Sequence, residues 1–235
     1  MKIEIWSDIM CPFCYIGKHR MEKALELFPN RNELEVVWKS FQLHPQIQYD
    51  STKDAYDVVA EMKGVPKDQM KSSFTQIENM ANDLGIKFDF NHVKMANTYD
   101  ALRLVHLAEK YHLATEAKET LFKAFFEEGK NLSDSSILLE LGLSIGLPKQ
   151  EIEDMLASEV YADEMNEDLY EATQIGVRGV PFFVFNRKYA VSGAQPVEAF
   201  VQTIEKSYAE WKKENPTVKL EIIEGQSCTP DGICE

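Results

Sequence analysis

The chain has 235 residues, 44% of them hydrophobic and 27% charged, an ordinary globular mixture that excludes global disorder, collagen and coiled-coil fibre. Its 39 acidic and 25 basic residues give a formal net charge of −14, a field that repels polyphosphate, so neither nucleic acid nor an anionic membrane surface is an expected partner. No apolar run approaches the about 18 residues of a membrane span, and no cationic lead precedes an apolar stretch at the N-terminus, so a cytoplasmic location is expected.

In chain order, Ile3 and Ile5 alternate with polar positions and predict a short strand, although Trp6 and Ile9 break the alternation. Cys11-Pro12-Phe13-Cys14 follows, and then a helical face of Met21, Ala24, Leu25 and Phe28. Pro12 suits the first turn of that helix, where its missing N–H costs nothing, and Pro29 ends it. Residues 33–41 predict a second strand, with Leu34, Val36 and Trp38 on one side. From about Thr52 to Gln174 the pattern is helical, with no convincing strand. Gly64, Gly85, Gly129 and Gly146 read as stops, Pro66 and Pro148 as starts, and Ser133 or Asp134 as a cap. Strand character returns at 179–185, turns at 186–188 and pairs through 189–191, and a helix runs from Val197 to about Trp211. Val218, Leu220 and Ile222 alternate as an edge strand before a turn-rich end.

The four cysteines fall into two local pairs, Cys11/Cys14 and Cys228/Cys234, a pattern that suits redox exchange or metal binding better than a stapled secreted scaffold. A lone Cys-x-x-Cys leaves redox chemistry, half of a metal site and an inert structural pair open; strand–motif–helix context favours redox. Cys11 then lies at the positive end of the helix, where thiolate is favoured, and Cys14 one turn in, more sheltered. That asymmetry makes Cys11 the attacking thiol and Cys14 the one that resolves the mixed disulfide. Asp8, Tyr15 and Lys18 are nearby modifiers. Val180-Pro181, at the start of the later strand, could present backbone to the dithiol. No histidine spacing supports a metal site, so none is expected.

Taken together, Asp8-Ile9-Met10-Cys11-Pro12-Phe13-Cys14-Tyr15-Ile16-Gly17, Phe41-Gln42-Leu43-His44-Pro45, Asn97-Thr98 with Ala101 and Arg103, residues 176–184, and Ser192-Gly193-Ala194-Gln195-Pro196 resemble the DsbA-like branch of the thioredoxin superfamily. The likeness is to its FrnE-type members, often described as polyketide-biosynthesis dithiol-disulfide isomerase-like, and it spans residues 1 to about 212. Position 13 is Phe where these relatives commonly carry Trp, and position 102 is Leu where they often carry His. The resemblance implies an α/β fold, a thioredoxin-like domain (1–48 and 175–212) interrupted by an all-helical insertion (49–174), with residues 213–235 as a tail. It implies Cys11 as nucleophile, Cys14 as resolver and Pro181 as a cis residue, supported by Pro12, Phe13 and Val180. The implied activity is protein thiol–disulfide exchange through a reversible Cys11–Cys14 disulfide, with no bound cofactor and with glutathione or another thiol as possible donor. In a reducing cytoplasm reductase or isomerase action is expected on protein or peptide thiols and disulfides.

His44, Asn97 and Arg103 are candidate substrate binders, against plainer readings as a loop histidine, a helix cap and an internally paired or solvated arginine. Cys228 and Cys234 are candidates for a second redox pair, a local bridge or zinc ligands. Phe122, Phe125 and Phe126 read as core. Two other functions fit the same sequence: a glutathione-dependent small-molecule isomerase or transferase, whose relatives generally have serine in place of Cys11, and a redox-regulated chaperone. A homodimer is possible.

Overall fold

The computed structural model describes residues 1–216. Strand β1 (Lys2–Ser7) leads into helix α1 (Pro12–Leu27) and returns as β2 (Glu35–Ser40). Helices α2 (Ala55–Lys63), α3 (Lys67–Asn82), α4 (Tyr99–Glu109), α5 (Ala114–Phe126), α6 (Ser135–Ser144), α7 (Lys149–Leu156) and α8 (Ala162–Gln174) follow with no strand between them. The described chain closes with β3 (Phe182–Phe185), β4 (Tyr189–Ser192) and α9 (Val197–Glu214). The strand expected at 218–222 and the pair Cys228/Cys234 lie outside the described residues.

The sheet order is β2-β1-β3-β4. The β1–β2 pair is parallel, with Ile5 opposite Trp38, and so requires the crossover that α1 supplies. The β1–β3 and β3–β4 pairs are antiparallel. The hairpin between β3 and β4 turns on Asn186 and Arg187, both at positive φ, the geometry whose twist matches a two-residue hairpin.

Both faces of the sheet are covered, which is why β1 does not alternate cleanly. Ile3, Ile5, Phe183 and Phe185 join one core with Phe200 and Ile204 of α9. Trp6 and Val184 point the other way and pack with Ala172 of α8 and Val177. Helix α8 therefore lies on the sheet, against β2, although by sequence it continues the helical stretch. Helix α4 sits at the centre of the helical part, against α5, α6, α7 and α8, and is buried on nearly every side. Local signals set the helix ends. Asp54 caps α2 through a reciprocal pair with Asp57, Gly64 closes it at φ 64°, and Asp134 caps α6 by accepting from the Ser136 N–H at 2.8 Å. Strand β2 starts two residues later than expected because residues 31–33 form a 3-10 turn.

One buried carboxylate joins α8 to the sheet and to α4. Asp168 accepts from the Ser40 N–H at 2.7 Å, pairs with Lys39 at 2.9 Å and meets His106 Nε2 at 3.3 Å. Its own backbone carbonyl accepts from Trp6 Nε1 at 3.0 Å. Burial alone would push the Asp168 carboxyl up; His106, the Ser40 N–H and Lys39 outweigh it and hold the group below the ordinary value. A carboxyl with a depressed folded-state pKa adds stability that is complete above its unfolded value, about 3.9, and is lost as pH falls through the folded one. Asp168→Ala is therefore expected to lower the unfolding free energy by about 3 kcal/mol at neutral pH, measured by urea denaturation. The deficit should shrink below about pH 4; equal midpoints at pH 7 would show that the junction is not held by this group.

Candidate active site

Chain geometry places the two thiols. After β1 ends at Ser7 the chain turns, with the Cys11 N–H bonded to the Asp8 carbonyl at 3.2 Å, and α1 begins with Cys11 as its N-cap and Pro12 as its first residue. The Cys14 N–H closes the first turn on the Cys11 carbonyl at 3.0 Å. Both cysteines are free thiols and both are buried, Cys11 at 5% exposure and Cys14 at 1%, in the order expected but with less difference. The Cys11 Sγ donates to the Val180 carbonyl at 3.4 Å, and the Val180–Pro181 bond is cis. Gly17 lets α1 approach this segment, since a Cβ there would lie 3.0 Å from Pro181 Cγ and 3.2 Å from Phe183 Cζ.

Beneath the thiols is a buried polar cluster. Asp8 is fully buried and accepts from the Leu43 N–H at 2.7 Å, the Thr98 hydroxyl at 2.7 Å and the Met10 N–H at 3.3 Å. Burial raises its pKa, and these three bonds oppose the rise without cancelling it. Lys118 of α5 is buried too, with Nζ 3.3 Å from the Ser7 carbonyl and 5.5 Å from the Trp38 ring centre. Burial lowers its pKa to about 8 against the pull of Cys14, Asp8 and Asp168. The Cys14 thiol is pushed well up, first by burial and then by its neighbour Cys11, while Ser7 and the Asp8 backbone act in the opposite sense. The sequence reading passed over Lys118, although its signal is visible: Ala114, Lys118 and Phe122 share one stripe of α5, so an ammonium sits on the apolar side of a helix.

A cavity of about 390 Å³ opens beside Cys11, between the start of α1 and helices α2 and α3. Its lining includes Phe13, His44, Val180 and Phe126.

A model of the DSBA-like thioredoxin domain matches residues 2–205. The chain belongs to this family. Members of this DsbA-like family are thiol–disulfide oxidoreductases or isomerases and act on thiol and disulfide substrates. The crystal structure of a probable DsbA oxidoreductase from Streptomyces coelicolor is similar at 34% identity and TM-score 0.83, over 100% of this chain and 98% of that one. YwbO of Bacillus subtilis, itself uncharacterized, is 29% identical over 86% of this chain and 94% of its own. The cytosolic disulfide reductase DsbM of Pseudomonas aeruginosa shares the fold at 17% identity and TM-score 0.61, over 89% of this chain and all of that one.

Within this DsbA-like frame, Cys11, Cys14, Pro12, Phe13, Val180 and Pro181 come together, and His44 lies exposed at the cavity wall. Asn97 does not line that cavity. It accepts from Gln42 Nε2 at 3.0 Å and from the Tyr99 N–H at 2.8 Å, and it donates to the Pro45 carbonyl at 2.7 Å, so it ties the 41–45 loop to the first residue of α4, whose N-cap is Thr98. Arg103 is not at the site either. At 2% exposure it donates to the carbonyls of Val160, Met155 and Ser158 and pairs with Asp100, which accounts for four of its five N–H groups inside the helical part. Leu102 is fully buried in the core, as an apolar residue should be there. Tyr15 stacks on Phe122 at 4.9 Å, and its hydroxyl lies between Glu119 at 2.8 Å and Glu127 at 3.0 Å, with one proton to share. Lys18 likewise turns to α5, pairing with Glu119 there at 2.6 Å and with Glu22 of its own helix at 2.7 Å. His19 lies beside those two carboxylates in a spacing that could hold a metal, but the ammonium already occupies them.

Asp8→Ala strands the Leu43 and Met10 N–H groups in a dry interior. It is expected to destabilise the fold by about 2–4 kcal/mol, read by urea unfolding; a loss under about 0.5 kcal/mol, the range of ordinary surface substitutions, would show that these loops do not depend on it.

Proposed function

We propose that the protein is a cytoplasmic dithiol–disulfide oxidoreductase that works as a reductase or isomerase, with Cys11 as nucleophile and Cys14 as resolving thiol. The observation that carries this reading is the position of Cys11: at the N-terminus of α1, beside the Val180 carbonyl, with Cys14 covered one turn below. Helix N-termini favour thiolate.

Cys11 thiolate attacks one sulfur of a substrate disulfide. A Cys11–substrate disulfide forms and the other substrate sulfur leaves as thiolate and takes a proton. Cys14 then loses its proton and attacks Cys11 Sγ, which forms the Cys11–Cys14 disulfide and releases the second substrate thiol. Two glutathione molecules restore the reduced pair and leave as one glutathione disulfide; a dithiol donor does the same and leaves as its own intramolecular disulfide. Isomerisation is the same first step followed by attack of a substrate thiol in place of Cys14. The high pKa of the Cys14 thiol makes its deprotonation the hard step. Neutral Lys118, with its pKa near 8, is the buried base we assign to take that proton. DsbM, similar in fold, is a cytosolic disulfide reductase and has been seen with GSH, which supports the direction and compartment assigned here and glutathione as donor. Among the described residues no helix is long and apolar enough to cross a membrane.

Reduction of bis(2-hydroxyethyl) disulfide should vanish in Cys11→Ser, while Cys14→Ser should accumulate the mixed disulfide, seen by mass spectrometry. Turnover that survives Cys11→Ser would end the proposal; glutathione-dependent conversion of a small molecule without Cys14 would favour the isomerase alternative. The reduction potential should fall near or below the glutathione poise of about −220 to −320 mV, and a value near −120 mV, that of a strong oxidant, would reverse the direction.

In single turnover, formation of the Cys11–Cys14 disulfide should speed up as pH rises through about 8, because neutral Lys118 becomes populated there. Lys118→Met should remove that inflection; an unchanged profile would take Lys118 out of the proton transfer.

A further inference from the structure

Ser7, the last residue of β1, carries a hydroxyl that the thiol exchange described above leaves unused. The residue is fully buried, and its Oγ has no hydrogen-bond partner among the described residues. The other buried side-chain atoms without one belong to Glu4, His19 and Glu210, which already meet Arg187, Glu119 and Lys188 in ion pairs. Ser7 has no such second contact. A hydroxyl kept dry and unpaired costs free energy that an alanine at the same place would not. An orphan of this kind calls for a reason, and chemistry at an adjacent site is one.

The strand sets where the hydroxyl points. Ser7 shares its face of β1 with Ile3 and Ile5, which join the core that Cys14, Tyr15 and Ile16 of α1 enter, whereas Trp6 faces α8. The main chain of Ser7 is held on its own account: its carbonyl accepts from the Phe41 N–H at 3.3 Å and from Lys118 Nζ at 3.3 Å. Lys118 in turn feels Cys14 more strongly than it feels Asp8 or Asp168. Ser7 thus stands between the proposed base and the resolving thiol, main chain toward one and side chain toward the other. With Cys14 protonated the hydroxyl bonds to nothing; against the ionised sulfur it is a donor, and with the Asp8 N–H it opposes the rise in the Cys14 pKa. The other titratable groups at this corner are Cys11, Asp8, Lys118 and Asp168. A donor that is idle beside the thiol and engaged beside the thiolate favours the reactive form over the resting one.

We propose that Ser7 is a catalytic residue of the resolving step, its Oγ–H donating to the Cys14 thiolate. The inference rests on the thiol-exchange reading of Cys11 and Cys14 and adds a third residue to it. Once Lys118 has taken the Cys14 proton, the Ser7 hydroxyl rotates its O–H onto the sulfur. Cys14 Sγ then attacks Cys11 Sγ. The Cys11–Cys14 bond forms, the bond from Cys11 to the substrate sulfur breaks, and that sulfur leaves with the electron pair. Over both steps the dithiol loses two electrons and the substrate disulfide gains them. Ser7 gives up no proton and ends as it began.

The test mixes the reduced full chain, carrying Cys228→Ser and Cys234→Ser so that only the first pair reports, with one equivalent of dithiobis(nitrobenzoate) in a stopped-flow spectrometer. Attack by Cys11 releases one coloured thiolate and attack by Cys14 releases the second, so the two steps are read apart. Ser7→Ala should leave the first release unchanged and slow the second by about three- to tenfold. That is the loss of one hydrogen bond to a charged acceptor, partly offset because a more basic thiolate is a better nucleophile. Ser7→Thr keeps the donor and should restore most of the rate. The urea midpoint of Ser7→Ala should not fall, because no hydrogen bond of the resting fold is removed. Its second release should still quicken as pH rises through about 8, because Lys118 remains. A second release as fast in Ser7→Ala as in the parent would overturn the assignment while both phases of the parent keep the thiol-exchange reading intact. Equal slowing of both releases, or slowing that Ser7→Thr does not relieve, would also overturn it, in favour of a packing role. Loss of the pH dependence in Ser7→Ala would overturn it in favour of a proton relay through the hydroxyl. If the parent shows no first release, the thiol-exchange reading falls and the Ser7 assignment falls with it.

Discussion

The carboxylate of Asp8 is the point at which separate parts of the chain are fixed relative to one another. Its oxygens take the Met10 N–H of the turn before Cys11, the Leu43 N–H of the loop after β2, and the Thr98 hydroxyl ahead of α4. A buried acceptor without donors would cost more than the bonds return, and so would buried donors without an acceptor. Each of these segments is therefore held in place by the others. The loop at 41–45 gains a second tie from Asn97, through Gln42 and the Pro45 carbonyl. The cavity beside Cys11 keeps its shape because the loop that forms its wall at Leu43 and His44 is anchored at both of these points.

The electrostatics below the thiols follow from the same burial. Lys118 enters from α5, with its ammonium over the Trp38 and Phe122 rings and near the Ser7 carbonyl. A buried ammonium loses hydration, and its pKa falls; a buried thiol loses hydration, and its pKa rises. The two shifts invert the order the groups have in water: the neutral amine and the neutral thiol are both favoured by burial, so Lys118 can stand as an uncharged acceptor beside a protonated Cys14. A buried resolving thiol with little access to water needs such an acceptor nearby. Lys118 also ties the proposed chemistry to the helical part of the chain, since neither β1 nor α1 carries a buried basic group directed at Cys14.

Much of this was legible in the sequence, for identifiable reasons. Helix ends were readable wherever the signal is local: Asp54 and Gly64 bracket α2, and Asp134 caps α6. Cys-x-x-Cys between a strand and a helix marked the thiols, and the motif at 176–184 marked the segment facing them. The sheet's second face was harder. Trp6 spoiled the alternation of β1 because α8 covers the side that a one-faced sheet would leave to water, and nothing near Trp6 in sequence announces α8. Arg103 was a candidate ligand beside the plainer reading of an internally paired or solvated arginine; its partners Met155, at the end of α7, and Ser158 and Val160, just beyond it, lie more than fifty residues on in the chain. Lys118 was open to detection by its position on an apolar stripe, but only the folded chain shows that the stripe faces Cys14.

The two structural parts divide the work of the proposed reaction unevenly. The sheet and α1 supply the thiols and the backbone that meets them at Val180. The helices between β2 and β3 supply what distinguishes this chain from a bare dithiol: the buried base beneath Cys14 and the apolar walls beyond Cys11. Thiol exchange by itself is indifferent to what flanks a disulfide, since its rate depends on thiol acidity and access. Selectivity must come from access, and here access to Cys11 passes between Val180 and residues of α2, with Phe13 exposed alongside. The helices between β2 and β3 thus shape the approach to Cys11, while the sheet and α1 hold the thiols that react there.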